Sequence, residues 1–114
     1  MPTNPNNLGN PDPIASEFAG DPDMQEIITM FLQEMPDRVE QLQRLWRDSE
    51  FDQVKRIAHQ LKGAGGGYGY PSLGAAAGAL ESSLNSLLNN TQGANLQSIR
   101  AQLDSLIDLC NRVS

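Results

Sequence analysis

The stretch AHQLKGAGGGYGY, Ala58 to Tyr70, begins as a helix, carries the only histidine of the chain, and then loses its side chains at Gly63, Gly65, Gly66, Gly67 and Gly69. Upstream, Val54, Ile57, Ala58 and Leu61 recur at helical spacing, with Tyr68 further along the same face. Advancing about 100° per residue places His59 roughly 140° from the middle of that apolar face, so the imidazole is expected to meet solvent. Lys55, Lys62 and Gly66 fall within about 60° of it on the same wheel, and Gly63 within roughly 40°. Glycine inside a helix costs about 0.5–1 kcal/mol relative to alanine, so a cluster beside one exposed side chain calls for a compensating use.

Outward from this helix the periodicity continues. Met24, Ile27, Ile28, Phe31, Leu32, Met35, Val39, Leu42, Leu45 and Trp46 predict a long amphipathic helix from Asp23 to about Arg47, interrupted by Pro36, which removes a backbone donor and is expected to kink it. A turn is expected at Ser49 or Glu50. Pro71 suits the first position of a third helix, with Leu73, Ala76, Ala77, Leu80, Leu84, Leu87 and Leu88 as its stripe. Asn89 to Asn95 reads as a turn, and Leu96, Ile99, Leu103, Leu106, Ile107, Cys110 and Val113 form a fourth stripe. A short helix over Asp12 to Phe18 is also expected, with Ile14 and Phe18 on one face and a stop near Gly20. Residues 1–11, rich in Pro, Asn and Gly, read as a flexible lead-in. No segment alternates as a strand does, and short connections imply antiparallel neighbours. The expected fold is all-α: an up-and-down antiparallel four-helix bundle over residues 12–114 with a short additional N-terminal helix.

Composition narrows the function. The chain has 114 residues and a formal net charge of −6, with eight Lys and Arg against fourteen Asp and Glu. That balance argues against nucleic acid, which calls for a basic patch. No run reaches the 18 or so apolar residues of a membrane span, and no signal peptide is visible, so a cytoplasmic domain without membrane contact is expected. One cysteine and one histidine fall short of a zinc ligand set, so metal chemistry supplied by this chain is not expected.

Composition leaves a small-molecule or protein partner, and one use for an exposed histidine beside bare helix surface is contact with a macromolecule. A cation three residues on, Lys62, is placed to hydrogen-bond an anion carried on a ring nitrogen, and missing side chains at Gly63 and Gly66 let a partner approach. The expected docking face carries His59, Lys55, Lys62, Gly63 and Gly66, with Gln60 at its margin. The plain alternative is a solvated helix face with an incidental histidine, the glycines serving helix packing or, at Gly67 and Gly69, helix termination.

The string AHQLKGAGGGYG resembles the signature of the histidine-containing phosphotransfer (HPt) domain family: Ala58, His59, Leu61, Lys62, Gly63, then small residues and Gly69 ten positions after the histidine. Leu73 at plus fourteen and Glu81 at plus twenty-two also fit, as does the proline in the preceding helix, and the resemblance covers about Asp12 to Val113. It implies a phosphorelay intermediate whose His59 accepts a phosphoryl group from a receiver aspartyl phosphate and passes it to another receiver, with a cognate histidine kinase upstream. It also implies a monomeric phosphocarrier with no cofactor of its own rather than a stand-alone enzyme, either free or part of a hybrid kinase. Lys62 would steady the phosphoryl group. Glu81 would take a hydrogen bond from Nδ1 of the imidazole, leaving Nε2 as nucleophile. Ala64-Gly65-Gly66-Gly67 is richer in glycine than most of the family, which is expected to weaken this helix end. The same stretch resembles the phosphoacceptor domain of chemotaxis-type kinases, where ATP is the ultimate donor. A structural helical adaptor is the remaining alternative.

Overall fold

The computed structural model describes residues 12–89 and 95–114. The apolar stripes become four helices: α1 (Gln25–Arg47), α2 (Phe51–Gly67), α3 (Pro71–Leu88) and α4 (Leu96–Arg112). Each packs against the next in chain order and α4 closes the ring against α1, as an up-and-down bundle requires. The core is aliphatic, with Leu42, Val54, Ala58, Leu61, Leu80, Leu84, Leu103 and Leu106 wholly buried.

Local chemistry sets the helix ends. Pro71 opens α3, where its missing N–H costs nothing. At the start of α4 the Asn95 side chain accepts from the amides of Gln97 (2.8 Å) and Ser98 (3.2 Å). The α2 terminus closes through Gly69, whose φ of +86° is left-handed, while the Tyr70 amide donates back to the Gly65 carbonyl (2.7 Å). Glycine richness does not cut α2 short, since the helix runs through to Gly67. Pro36 likewise lies inside a continuous α1.

Three expectations are corrected. Asp12 to Phe18 is not a helix: the backbone groups of Ile14 and the Glu17 amide are taken by distant partners instead of by a helical turn. The Ile14 amide donates to the Arg112 carbonyl and the Ser114 amide to the Ile14 carbonyl, both at 2.8 Å, making an isolated parallel bridge between Ile14 and Val113. The Glu17 amide donates to Gly69 (2.8 Å), and the Ser16 hydroxyl to the Tyr68 carbonyl. The short helical element falls later, as a 3-10 turn at Pro22–Met24 capped by Asp21. Ile27, placed by periodicity in the α1 stripe, is 41% exposed, because the stripe is wider than the face its neighbours cover. The two helix-end leucines of the α3 and α4 stripes are exposed as well, Leu88 at the end of α3 and Leu96 at the start of α4. The expected lead-in over 1–11 and the residues 90–94 of the expected turn lie outside the described residues.

Two aromatic residues anchor the segment after the histidine helix. Phe31 of α1 meets Tyr68 edge-on (centroids 5.2 Å apart) and stacks on Tyr70 (5.5 Å). Tyr70 is wholly buried and its hydroxyl donates to the Ser114 carbonyl (3.0 Å). Among the described residues no helix is long and apolar enough to cross a membrane.

Candidate functional site

Helix α2 turns its apolar face inward through Val54, Ile57, Ala58 and Leu61, which leaves His59 on the outer face with its side chain 68% exposed. The wheel reading of its direction is thus matched. Beside it, a Cβ built on Gly63, Gly66 or Gly67 would meet nothing within 4 Å, so this part of α2 is bare helix surface.

Gly65 has a different environment. A Cβ there would lie 2.5 Å from the Gly74 amide nitrogen and 2.8 Å from its Cα, so α2 and α3 touch backbone to backbone at this point. Gly74, Ala77, Gly78 and Glu81 succeed one another on α3 at helical spacing. The small residues bring the helices close, and Glu81 then reaches across. Its Oε2 lies 2.7 Å from His59 Nδ1, and its Oε1 lies 3.7 Å from Lys62 Nζ. A carboxylate only accepts, so in this pair the ring Nδ1 donates, and a neutral imidazole keeps its lone pair on Nε2. The Glu81 side chain is 22% exposed, whereas that of Lys62 is 57% exposed.

The other expected site residues flank this centre. Lys55, one turn before His59, donates to Asn85 Oδ1 of α3 (3.2 Å). Gln60 accepts from Arg38 of α1 (3.1 Å), and the same guanidinium bonds Glu34 (3.1 Å). Next to that pair, Ile27, Met30, Phe31, Ala64 and Tyr68 line a shallow apolar hollow between α1 and α2, rimmed by Glu34 and Arg38. Met30 is 56% exposed.

Sequence reasoning alone does not single out Arg38, Asn85, Gly74 or Gly78. The small-residue spacing on α3 leading to Glu81 is a usable signal for the last two. Arg38 and Asn85 carry no such signal, because their partners lie on other helices. Among the described residues no three His, Cys, Asp or Glu side chains gather as a metal-binding group.

No curated protein and no solved structure matches the chain. A family model described as the Hpt domain matches residues 26–114, which takes in α2, α3, α4 and all of α1 but Gln25, with His59, Lys62 and Glu81. Four antiparallel helices, an outward histidine and this match agree, and the chain belongs to the Hpt domain family, the histidine phosphotransfer modules of phosphorelays.

Proposed function

We propose that His59 is the phosphoacceptor of a phosphorelay intermediate that takes its phosphoryl group from a receiver aspartyl phosphate and returns it to another receiver. The observation that carries this reading is an exposed imidazole whose Nδ1 is fixed by Glu81 at 2.7 Å, standing beside side-chain-free helix surface at Gly63 and Gly66.

In the forward step the Nε2 lone pair attacks phosphorus in line with the aspartyl oxygen. The N–P bond forms as the O–P bond breaks, and the bonding pair returns to the aspartate as its carboxylate. The ring becomes cationic, and Glu81 offsets that charge through the hydrogen bond it already accepts from Nδ1–H. Lys62 releases its long contact with Glu81 and turns to the phosphoryl oxygens, a charge-assisted contact that outweighs an exposed ion pair. Phosphoryl transfer of this kind needs alignment and charge neutralisation more than a large local catalytic set, and the acceptor aspartate belongs to the partner. The receiver docks on the face carrying His59, Lys55, Lys62, Gly63 and Gly66, extending through Gln60 into the hollow at Met30 and Ala64.

The test is incubation with receiver domains carrying labelled aspartyl phosphate. Acid-labile label should appear on the wild-type chain and not on His59→Gln. Label retained by that variant would place the acceptor elsewhere, and no label on wild type across a panel of receivers would favour a helical adaptor.

A further inference from the structure

We infer that Gly78 of α3 is a positioning residue whose bare Cα seats the aliphatic stem of Lys62 and thereby aims its ammonium at the His59–Glu81 pair. A Cβ built on Gly78 would lie 3.4 Å from Lys62 Cδ and 3.7 Å from both Cγ and Cε, so the lysine stem runs directly over this residue. Its head then reaches Glu81, three residues further along α3. The track has a fixed start, because the Lys62 carbonyl lies 3.2 Å from where a Gly74 Cβ would be.

The distances grade the substitutions. At 3.4–3.7 Å a methyl group makes ordinary van der Waals contact with the stem, so alanine fits beneath it. Longer side chains do not. Helical χ1 values of 180° or −60° lean a side chain toward its helix N-terminus, here toward Gly74 and the base of Lys62, which is the space the lysine stem occupies. A leucine at this position therefore lifts Lys62 into solvent while improving the helix propensity of α3. Lys55 on α2, Glu81 on α3, and Arg38 with Glu34 on α1 are further charged groups around the site, and the three heavy atoms nearest a Gly78 Cβ all belong to Lys62.

The functional consequence rests on the phosphoacceptor reading of His59, so the experiment separates the two. Wild type, Gly78→Ala, Gly78→Leu, Lys62→Ala and the Gly78→Leu/Lys62→Ala pair are phosphorylated with phosphoramidate, a small donor that requires no partner protein. Lys62 is followed by nuclear Overhauser effects in the unphosphorylated chains. Effects between the Lys62 methylenes and the Gly78 Hα are expected in wild type, and those between Lys62 and Glu81 should disappear in Gly78→Leu. The phosphohistidine half-life should fall about three- to tenfold in Gly78→Leu, as in Lys62→Ala, with the pair no worse and Gly78→Ala within about twofold of wild type. The thermal midpoint of Gly78→Leu should not fall, and if it does, Gly78→Met takes its place as a slimmer occupant of the same track. Absence of the wild-type Overhauser effects, or a wild-type half-life in the Leu and Met variants while Lys62→Ala is short-lived, overturns the seat. A wild-type half-life in Lys62→Ala removes Lys62 from the phosphoryl group and leaves the seat to be decided by the Overhauser effects.

Discussion

Gly65 of α2 and Gly74 of α3 meet so closely that a Cβ on the first would lie 2.5 Å from the amide nitrogen of the second. Nothing flexible stands at that point to move aside, so the helices themselves must part to admit a methyl group. Gly65→Ala is therefore expected to destabilise the domain by about 1–3 kcal/mol, and to lengthen the His59–Glu81 contact that the close approach sets. Gly63→Ala, two residues away with open space around it, should stabilise by up to about 1 kcal/mol. Chemical denaturation of the two variants checks the pair, and equal effects would contradict the asymmetry.

Glu81 is expected to act on His59 through orientation. In Glu81→Gln the amide oxygen still accepts from Nδ1, but the charge shared with Lys62 and with the developing imidazolium is gone. Glu81→Ala removes the acceptor as well. Phosphoryl acceptance should fall in the order wild type, Gln, Ala, with the alanine variant slower by about tenfold, the equivalent of ~1.4 kcal/mol. Ring ¹⁵N shifts supply the independent readout: a shift in tautomer toward Nε2–H in the alanine variant is expected. A wild-type rate and tautomer in Glu81→Ala would remove it from the site.

What was legible in the sequence was what periodicity encodes within a single helix. The stripes of α1 to α4, the opening of α3 at Pro71 and the outward direction of His59 depend on residues a turn or two apart. The separate uses of the glycines were not legible, because Gly63 and Gly65 differ only in which of them faces another helix. The same holds for Asp12 to Phe18: Ile14 and Phe18 have helical spacing, yet Arg112 and Ser114 take the backbone groups of Ile14, and Gly69 takes the amide of Glu17, in place of a local helical turn. Tyr70, in the connection between α2 and α3, is buried because Phe31 and Ser114 close over it from distant parts of the chain. Glu81 lay between the two cases: its motif position pointed to the histidine, while its second contact, with Lys62, depended on the bare track at Gly78.

The Tyr70 hydroxyl joins the α2–α3 connection to Ser114, beside the Ile14–Val113 bridge. Tyr70→Phe keeps the ring stacked on Phe31 and deletes only this bond, leaving the Ser114 carbonyl without it. A loss of about 1 kcal/mol is expected, with faster amide exchange at Ile14 and Ser114 than elsewhere. Uniform acceleration across all four helices would show that the bond belongs to the global core and not to this local clasp.

Burial pushes the Cys110 thiol up from its ordinary value of 9.0 to about 12, with the Arg38 charge acting weakly in the opposite direction. The folded chain thus holds the thiol proton more tightly than the unfolded chain does. Its contribution is complete below about pH 9 and is lost as pH rises toward 12, by at most about 1.4 kcal/mol per pH unit. Tyr70, also raised by burial, acts in the same direction. Cys110→Ala should flatten the alkaline limb of the stability curve, whatever its offset at neutral pH, and identical slopes would show that the thiol does not contribute. At pH 8 the native thiol should resist disulfide reagents until the chain is unfolded.

Gly63 separates folding from partner recognition. Its Cβ position is open, its dihedrals are those of an ordinary helix, and it lies one turn from His59 on the exposed face. Alanine and glutamine should both be accepted by the isolated domain with no loss of thermal midpoint. On the proposed docking face, however, each added atom stands where the receiver must come close enough to align its aspartate with Nε2. A misplacement near 1 Å costs about a hundredfold when transfer depends on alignment. Transfer from a phosphorylated receiver should therefore fall from glycine to alanine to glutamine. Phosphorylation by phosphoramidate, which is too small to touch residue 63, should be unchanged in all three. If the glutamine variant slows with both donors, the substitution has disturbed His59 itself; if it slows with neither, the bare surface has no part in docking.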